Sequence, residues 1–166
     1  MEAESRPGEG TRFHILLPRC QETETAPRTA PVADSKAMEG RERILVVDDE
    51  ELVRMVTKAV LAYQGYQIVE AEDGEDAVEK FTKASPPFDL VLMDVHMPRL
   101  NGHDALLQMR AVNSRTRAIL LSGGLHDPAS EGAAGLEGVK FLHKPFENQE
   151  LVRLVRETLD SGQSDF

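Results

Sequence analysis

The sequence predicts an α/β domain, a parallel sheet covered by helices on both faces. Three observations predict it. Between residues 43 and 160, short apolar runs alternate with amphipathic helical patterns five times over. The runs are continuously apolar rather than alternating, as strands buried on both faces are. Their polar residues, Asp48-Asp49, Asp94 and Ser122, gather where the strands end.

Ile44–Val47 is the first strand. Leu52, Met55, Val56, Ala59, Val60 and Tyr63 then recur at helical spacing, and Gly65 ends that helix. Tyr66–Glu70 is the second strand. Asp73-Gly74 turns into a helix carrying Ala77, Val78 and Phe81, closed by Pro86-Pro87. Leu90–Met93 is the third strand, ending at Asp94, and Ala105, Leu106 and Met109 mark the next helix. Ala118–Leu121 runs into Ser122-Gly123-Gly124. The helix after it is weakened by Gly132 and Gly135, so a short or mobile segment is expected. Val139–Leu142 is the fifth strand, and Leu151, Val152, Val155 and Leu159 line the last helix.

Ahead of this unit, Phe13, Ile15 and Leu17 alternate like a strand with no partner nearby, so a disordered or loosely attached strand is expected. Residues 19–42 are rich in Thr, Ala, Pro, Glu and Arg and read as a flexible linker. The domain boundaries are thus 1–18, 19–42, 43–160 and a tail at 161–166.

The formal net charge is −10. Such an acidic chain is a poor nonspecific nucleic-acid binder, because phosphate contacts need a basic surface. It is a reasonable host for a cation. No apolar run is long enough for a membrane helix, so no membrane contact is expected from this segment. The single cysteine, Cys20, excludes an internal disulfide and fits a reducing compartment.

Parallel strands bring their carboxyl ends to one edge, where ligands of such sheets bind. Asp48, Asp49 and Asp94 meet there, with Ser122 and Lys144. Two like charges about 4 Å apart cost about 4 kcal/mol at an effective dielectric near 20. A hard divalent cation such as Mg²⁺ removes that penalty and suits carboxylates, waters and phosphoryl oxygens. Metal, ammonium and hydroxyl together suit a transferring phosphoryl group, and an aspartate is a competent phosphoryl-accepting nucleophile. Each residue also has a plainer reading. Asp48-Asp49 could start a helix, Asp94 and Ser122 could be turn residues, Lys144 a surface residue and Phe141 a core residue. Asp48, Asp49, Asp94 and Lys144 together outweigh these readings taken singly, while Phe141 is equally well explained as a core residue.

The segments "ILVVDDE", "FDLVLMDVHMPRLNG", "ILLSGG" and "FLHKPF" stand in an order and spacing that resembles the response-regulator receiver domains of two-component signalling. The resemblance spans residues 43–160. It implies a flavodoxin-like (βα)5 doubly wound parallel sheet of five strands in the order 2-1-3-4-5. It implies that Asp94 accepts phosphoryl from a histidine, that Asp49 binds Mg²⁺ directly and Asp48 assists, and that the backbone carbonyl of His96 completes the protein ligands. It implies that Lys144, before a cis Pro145, pairs with phosphoryl oxygens. Ser122 and Phe141 would move together and alter the surface around the fourth helix, fifth strand and fifth helix. The His96 side chain could shield the acyl phosphate.

"GEGTRFHILLP" (residues 8–18) resembles the last strand of a histidine-kinase ATPase domain. Followed by a linker and a receiver, it implies a hybrid histidine kinase as parent. The implied partners are a histidine kinase core or a phosphotransfer domain. The segment itself is expected to be monomeric in isolation and cytoplasmic, whether or not the parent is attached to a membrane. It is expected to bind no ATP and to be no enzyme beyond slow self-dephosphorylation. Two alternatives remain: a pseudo-receiver that no longer uses phosphorylation, and a phosphohydrolase of the haloacid-dehalogenase type. The second places its acid/base aspartate two residues after the nucleophile, where this chain has His96.

Overall fold

A computed structural model describes residues 2–6, 10–14, 40–123 and 138–161. The chain divides into two units, residues 1–35 and 36–166. In the first, β1 (Glu2–Arg6) and β2 (Gly10–His14) form an antiparallel hairpin. The alternating strand therefore has a partner directly before it, contrary to the expectation of an orphan. Glu2-Ala3-Glu4-Ser5-Arg6 carries no apolar alternation, so its pairing left no pattern to read. Ile15 and Leu17 lie outside the described residues, as does most of the segment read as a linker.

The second unit is a five-stranded sheet with four described helices: β3 (Arg43–Val47), α1 (Glu51–Tyr63), β4 (Gln67–Ala71), α2 (Gly74–Lys83), β5 (Leu90–Asp94), α3 (Gly102–Val112), β6 (Ala118–Ser122), β7 (Lys140–His143) and α4 (Asn148–Asp160). All its strand pairs are parallel, in the order β4-β3-β5-β6-β7. Counted from β3, this is the expected 2-1-3-4-5. The glycine-weakened helix expected near Gly132 and Gly135 lies outside the described residues.

Alternation along each apolar strand divides the sheet into two cores. Leu45, Val47, Val91, Met93, Ala118 and Leu120 pack with Ala77 and Phe81 of α2 and Ala105, Leu106 and Met109 of α3. Ile44, Val46, Leu90, Leu92, Ile119 and Leu121 pack with Leu61 of α1 and Leu151, Val155 and Leu159 of α4. Gly65, at φ 93°, takes the left-handed conformation that stops α1, its N–H bonding the carbonyl of Ala62. Asp73 and Asn101 cap α2 and α3 by accepting from the N–H of Asp76 and Asp104, each at 2.9 Å.

The periodicity of α1 gave the helix but not its inner face. Leu52, Met55, Val56 and Tyr63 are 73%, 54%, 56% and 89% exposed. Thr57 and Leu61 are buried instead, with Val60 packed partly against the core. Arg54 also lies inward, and an arginine on a buried stripe hides that stripe from a hydrophobic count.

Gly40–Glu42, which close the segment read as a linker, are joined to this unit. Gly40 is buried, its N–H bonds the carbonyl of Gln64, and a Cβ there would come within 2.2 Å of the Tyr66 ring. Glu42 accepts from Arg156 of α4 at 2.7 Å, and Arg156 also holds Asp160.

Candidate functional site: an acidic cluster at the carboxyl edge of the sheet

Strand register builds the site. Val47 stands beside Met93, so the next residues, Asp48 and Asp94, leave the sheet side by side. Asp94 stands beside Leu121, so Ser122 follows on the next strand; Ser122 in turn stands beside His143, so Lys144 follows on the last. A slip of one residue in any pair would break the set.

Carboxylate oxygens of Asp48, Asp49 and Asp94 all lie within 4.8 Å of one another. Asp48 is 1% exposed and fully engaged: one oxygen accepts from the Glu50 N–H at 2.9 Å, the other from Lys144 at 2.9 Å. Lys144 also reaches Asp94 at 3.2 Å, so one ammonium bridges two carboxylates. Asp49 is exposed and has no hydrogen-bond or ion-pair partner among the described residues. Three hard oxygen donors at this spacing, one of them uncommitted, fit a small divalent cation whose shell is completed by water.

Burial pushes the Asp94 carboxyl above the ordinary carboxylate range. Lys144 and the His96 backbone N–H pull it down, but the neighbouring Asp48 charge adds to the upward push. Burial works against the Lys144 ammonium, yet its contacts with Asp48 and Asp94 raise it above the usual lysine value. The site therefore holds a charged lysine facing a carboxyl whose ionisation is disfavoured.

Ser122 is fully buried at the end of β6, and its carbonyl accepts from the Lys144 N–H at 2.7 Å. The Lys144–Pro145 peptide is cis. Phe141 is half-buried and packs against the core on the α2 and α3 side. His96 is exposed.

Several contributing residues were given no part in the site from the sequence. Gly102 admits α3 so close to Asp94 that a Cβ would lie 2.2 Å from its carbonyl oxygen; the Asn101-Gly102 pair was its only signal. Asp73, buried, caps α2 and pairs with Arg99, whose φ of 67° is left-handed. Gly74 sits against Leu100 of the same loop. The loop after Asp94 is thus held by the start of α2. Arg54 donates to the carbonyl of Asp48 at 2.6 Å.

Residues 44–156 match the response regulator receiver domain family. The chemotaxis protein CheY of Bacillus subtilis is 35% identical over 119 residues, covering 71% of this chain and 98% of that protein. The sensor kinase CckA of Brucella abortus is 32% identical over 163 residues, covering 95% of this chain but 17% of that much longer protein. Among solved structures, the response regulator TrrA of Thermotoga maritima, crystallised with Mg²⁺ and BeF, superposes with a TM-score of 0.63 at 32% identity, covering 70% of this chain and 98% of that one.

Proposed function

The chain belongs to the response regulator receiver domain family, and on that premise we propose that it accepts a phosphoryl group from a histidine donor onto Asp94, with Mg²⁺ bound, as the receiver module of a hybrid histidine kinase. The single observation that carries this is the convergence of Asp48, Asp49, Asp94 and Lys144 on one sheet edge, with Lys144 touching both Asp48 and Asp94.

In the transfer, an oxygen of Asp94 bonds to phosphorus as the donor's N–P bond breaks, and the histidine nitrogen leaves with the electron pair. Bound at Asp49, Asp48, Asp94 and the His96 carbonyl, Mg²⁺ would supply charge neutralisation for the transferring group. Lys144 turns from Asp48 and Asp94 to the phosphoryl oxygens. Ser122 donates its hydroxyl to one of those oxygens and Phe141 repacks with it, altering the surface around the fourth helix, fifth strand and fifth helix of the receiver. Water later attacks the phosphorus, breaking its bond to Asp94, which returns to a carboxylate as inorganic phosphate leaves; this is the only turnover expected of this segment.

Two observations support the remaining parts. The match to the CckA kinase covers 95% of the chain and so extends into the residues ahead of the receiver, whereas the match to CheY covers 71%. Exposed Leu52, Met55 and Val56 on α1, the helix that starts beside Asp49, suit a donor that lays a helix there, as a kinase core or phosphotransfer domain would. The segment is read as a cytoplasmic monomer before phosphorylation.

The test is a titration with Mg²⁺ and beryllofluoride followed by NMR. Shifts centred on Asp94 that disappear in Asp94→Asn are expected. A silent wild-type spectrum would sink the proposal and favour a receiver that acts without phosphorylation.

A further inference from the structure

Asp49 is the uncommitted carboxylate of the cluster, so its aim depends on the main chain that carries it. One half of that main chain is held from outside the strand. Arg54, in the first turn and a half of α1, donates to the carbonyl of Asp48 at 2.6 Å, and its side chain is 15% exposed. Its Nε lies 3.8 Å from Glu70, on the β4 residue that registers with Val46. Glu70 is paired in addition with Lys58.

This placement runs against two general preferences. A cation near the start of a helix opposes the helix dipole. A guanidinium on the inward face of α1 occupies ground that an apolar side chain would otherwise fill, while Leu52, Met55 and Val56 stand in solvent. We propose that Arg54 is a positioning residue for the cation-binding half of the site, clamping the Asp48–Asp49 peptide through the Asp48 carbonyl so that the Asp49 carboxylate stays within reach of Asp48 and Asp94. The inference rests on the Mg²⁺ site proposed above. Planar, forked donors let Arg54 hold the carbonyl while facing Glu70; a lysine offers one point charge and cannot span both.

The experiment is Mg²⁺ titration by calorimetry on the full chain, for wild type, Arg54→Ala, Arg54→Lys and Lys58→Ala. Thermal unfolding of each metal-free protein separates affinity from stability. Arg54→Ala should weaken Mg²⁺ binding by about tenfold, the lower end of effects seen when groups supporting metal ligands are removed. Arg54→Lys should fall between the two. Lys58→Ala removes a neighbouring α1–β4 contact without touching Asp48, and should stay within about twofold of wild type. The NMR signal of the Asp49 amide should shift in metal-free Arg54→Ala. Unchanged affinity in Arg54→Ala overturns the inference, and so does an equal loss in Lys58→Ala, which would mean general loosening of α1. A wild-type chain that does not bind Mg²⁺ at all defeats the proposed function and this inference together.

Discussion

Both edges of the five-stranded sheet carry a cation between two carboxylates, and the two arrangements do different things. At the amino edge Arg156 joins Glu42 to Asp160, and one anion is left over. At the carboxyl edge Lys144 joins Asp48 to Asp94, and Asp49 brings the excess to two. The amino-edge network is satisfied by its own hydrogen bonds and ties the incoming chain to α4. The carboxyl-edge network is under-neutralised where burial makes charge expensive. The two networks thus share an ion-pair pattern and differ in surplus charge and in the burial of Asp48 and Asp94.

The largest effect expected from breaking this contrast is at Asp49. Asp49→Ala removes the uncommitted ligand and should abolish Mg²⁺ binding and phosphorylation, while Glu51→Ala, at the helix start, leaves both nearly intact. Calorimetric titration and the mass of the phosphorylated protein read both outcomes. Next is Lys144→Met, which leaves Asp48 and Asp94 facing each other without a counter-charge. It should destabilise the metal-free chain by about 2 kcal/mol in urea unfolding, less than a fully buried pair would lose because Lys144 is partly exposed.

Asp94→Asn should act in the opposite direction. The folded-state pKa of Asp94 is raised, so its favourable contribution is present only below the ordinary carboxylate value and is lost as pH rises through the folded one. At pH 7 the charge is a net penalty, and its removal should raise the melting temperature by about 4 °C, the shift that about 1 kcal/mol produces in a domain of this size. The gain should shrink as the pH is lowered through the folded value.

The smallest effect is expected at the amino edge. Burial acts against the Glu42 carboxylate, but Arg156 and nearby backbone N–H groups hold its pKa below the usual value. Its contribution is therefore present above about pH 4.3 and lost as pH falls through the lower folded value. Glu42→Gln should cost about 1 kcal/mol at pH 7 and little in stronger acid. Mg²⁺ affinity should not change; a loss there would make the two edges one coupled system.

The sheet was legible because buried parallel strands must be apolar throughout, which left five continuous runs in the sequence. The cluster was legible because parallel strands deliver their ends to one edge. The hairpin partner of β2 was not, since Glu2–Arg6 pairs through backbone hydrogen bonds that leave no trace in side-chain polarity. Nor was the inner face of α1, because a count of apolar residues cannot see that Arg54 is wanted inside by a carbonyl.

By itself, then, the sequence determined the order of elements, the direction of the strands and which residues meet at one end: Asp48, Asp49, Asp94, Ser122 and Lys144. Those follow from local periodicity and from the rule that like-directed strands share an edge. The tertiary structure alone decided which charges touch: that Lys144 bridges Asp48 and Asp94, that Asp49 is left uncommitted, and that Arg54 holds the peptide between the two acidic residues. Such contacts depend on register and side-chain reach across strands far apart in the chain, and an electrostatic balance is set by distances that no spacing along a sequence encodes.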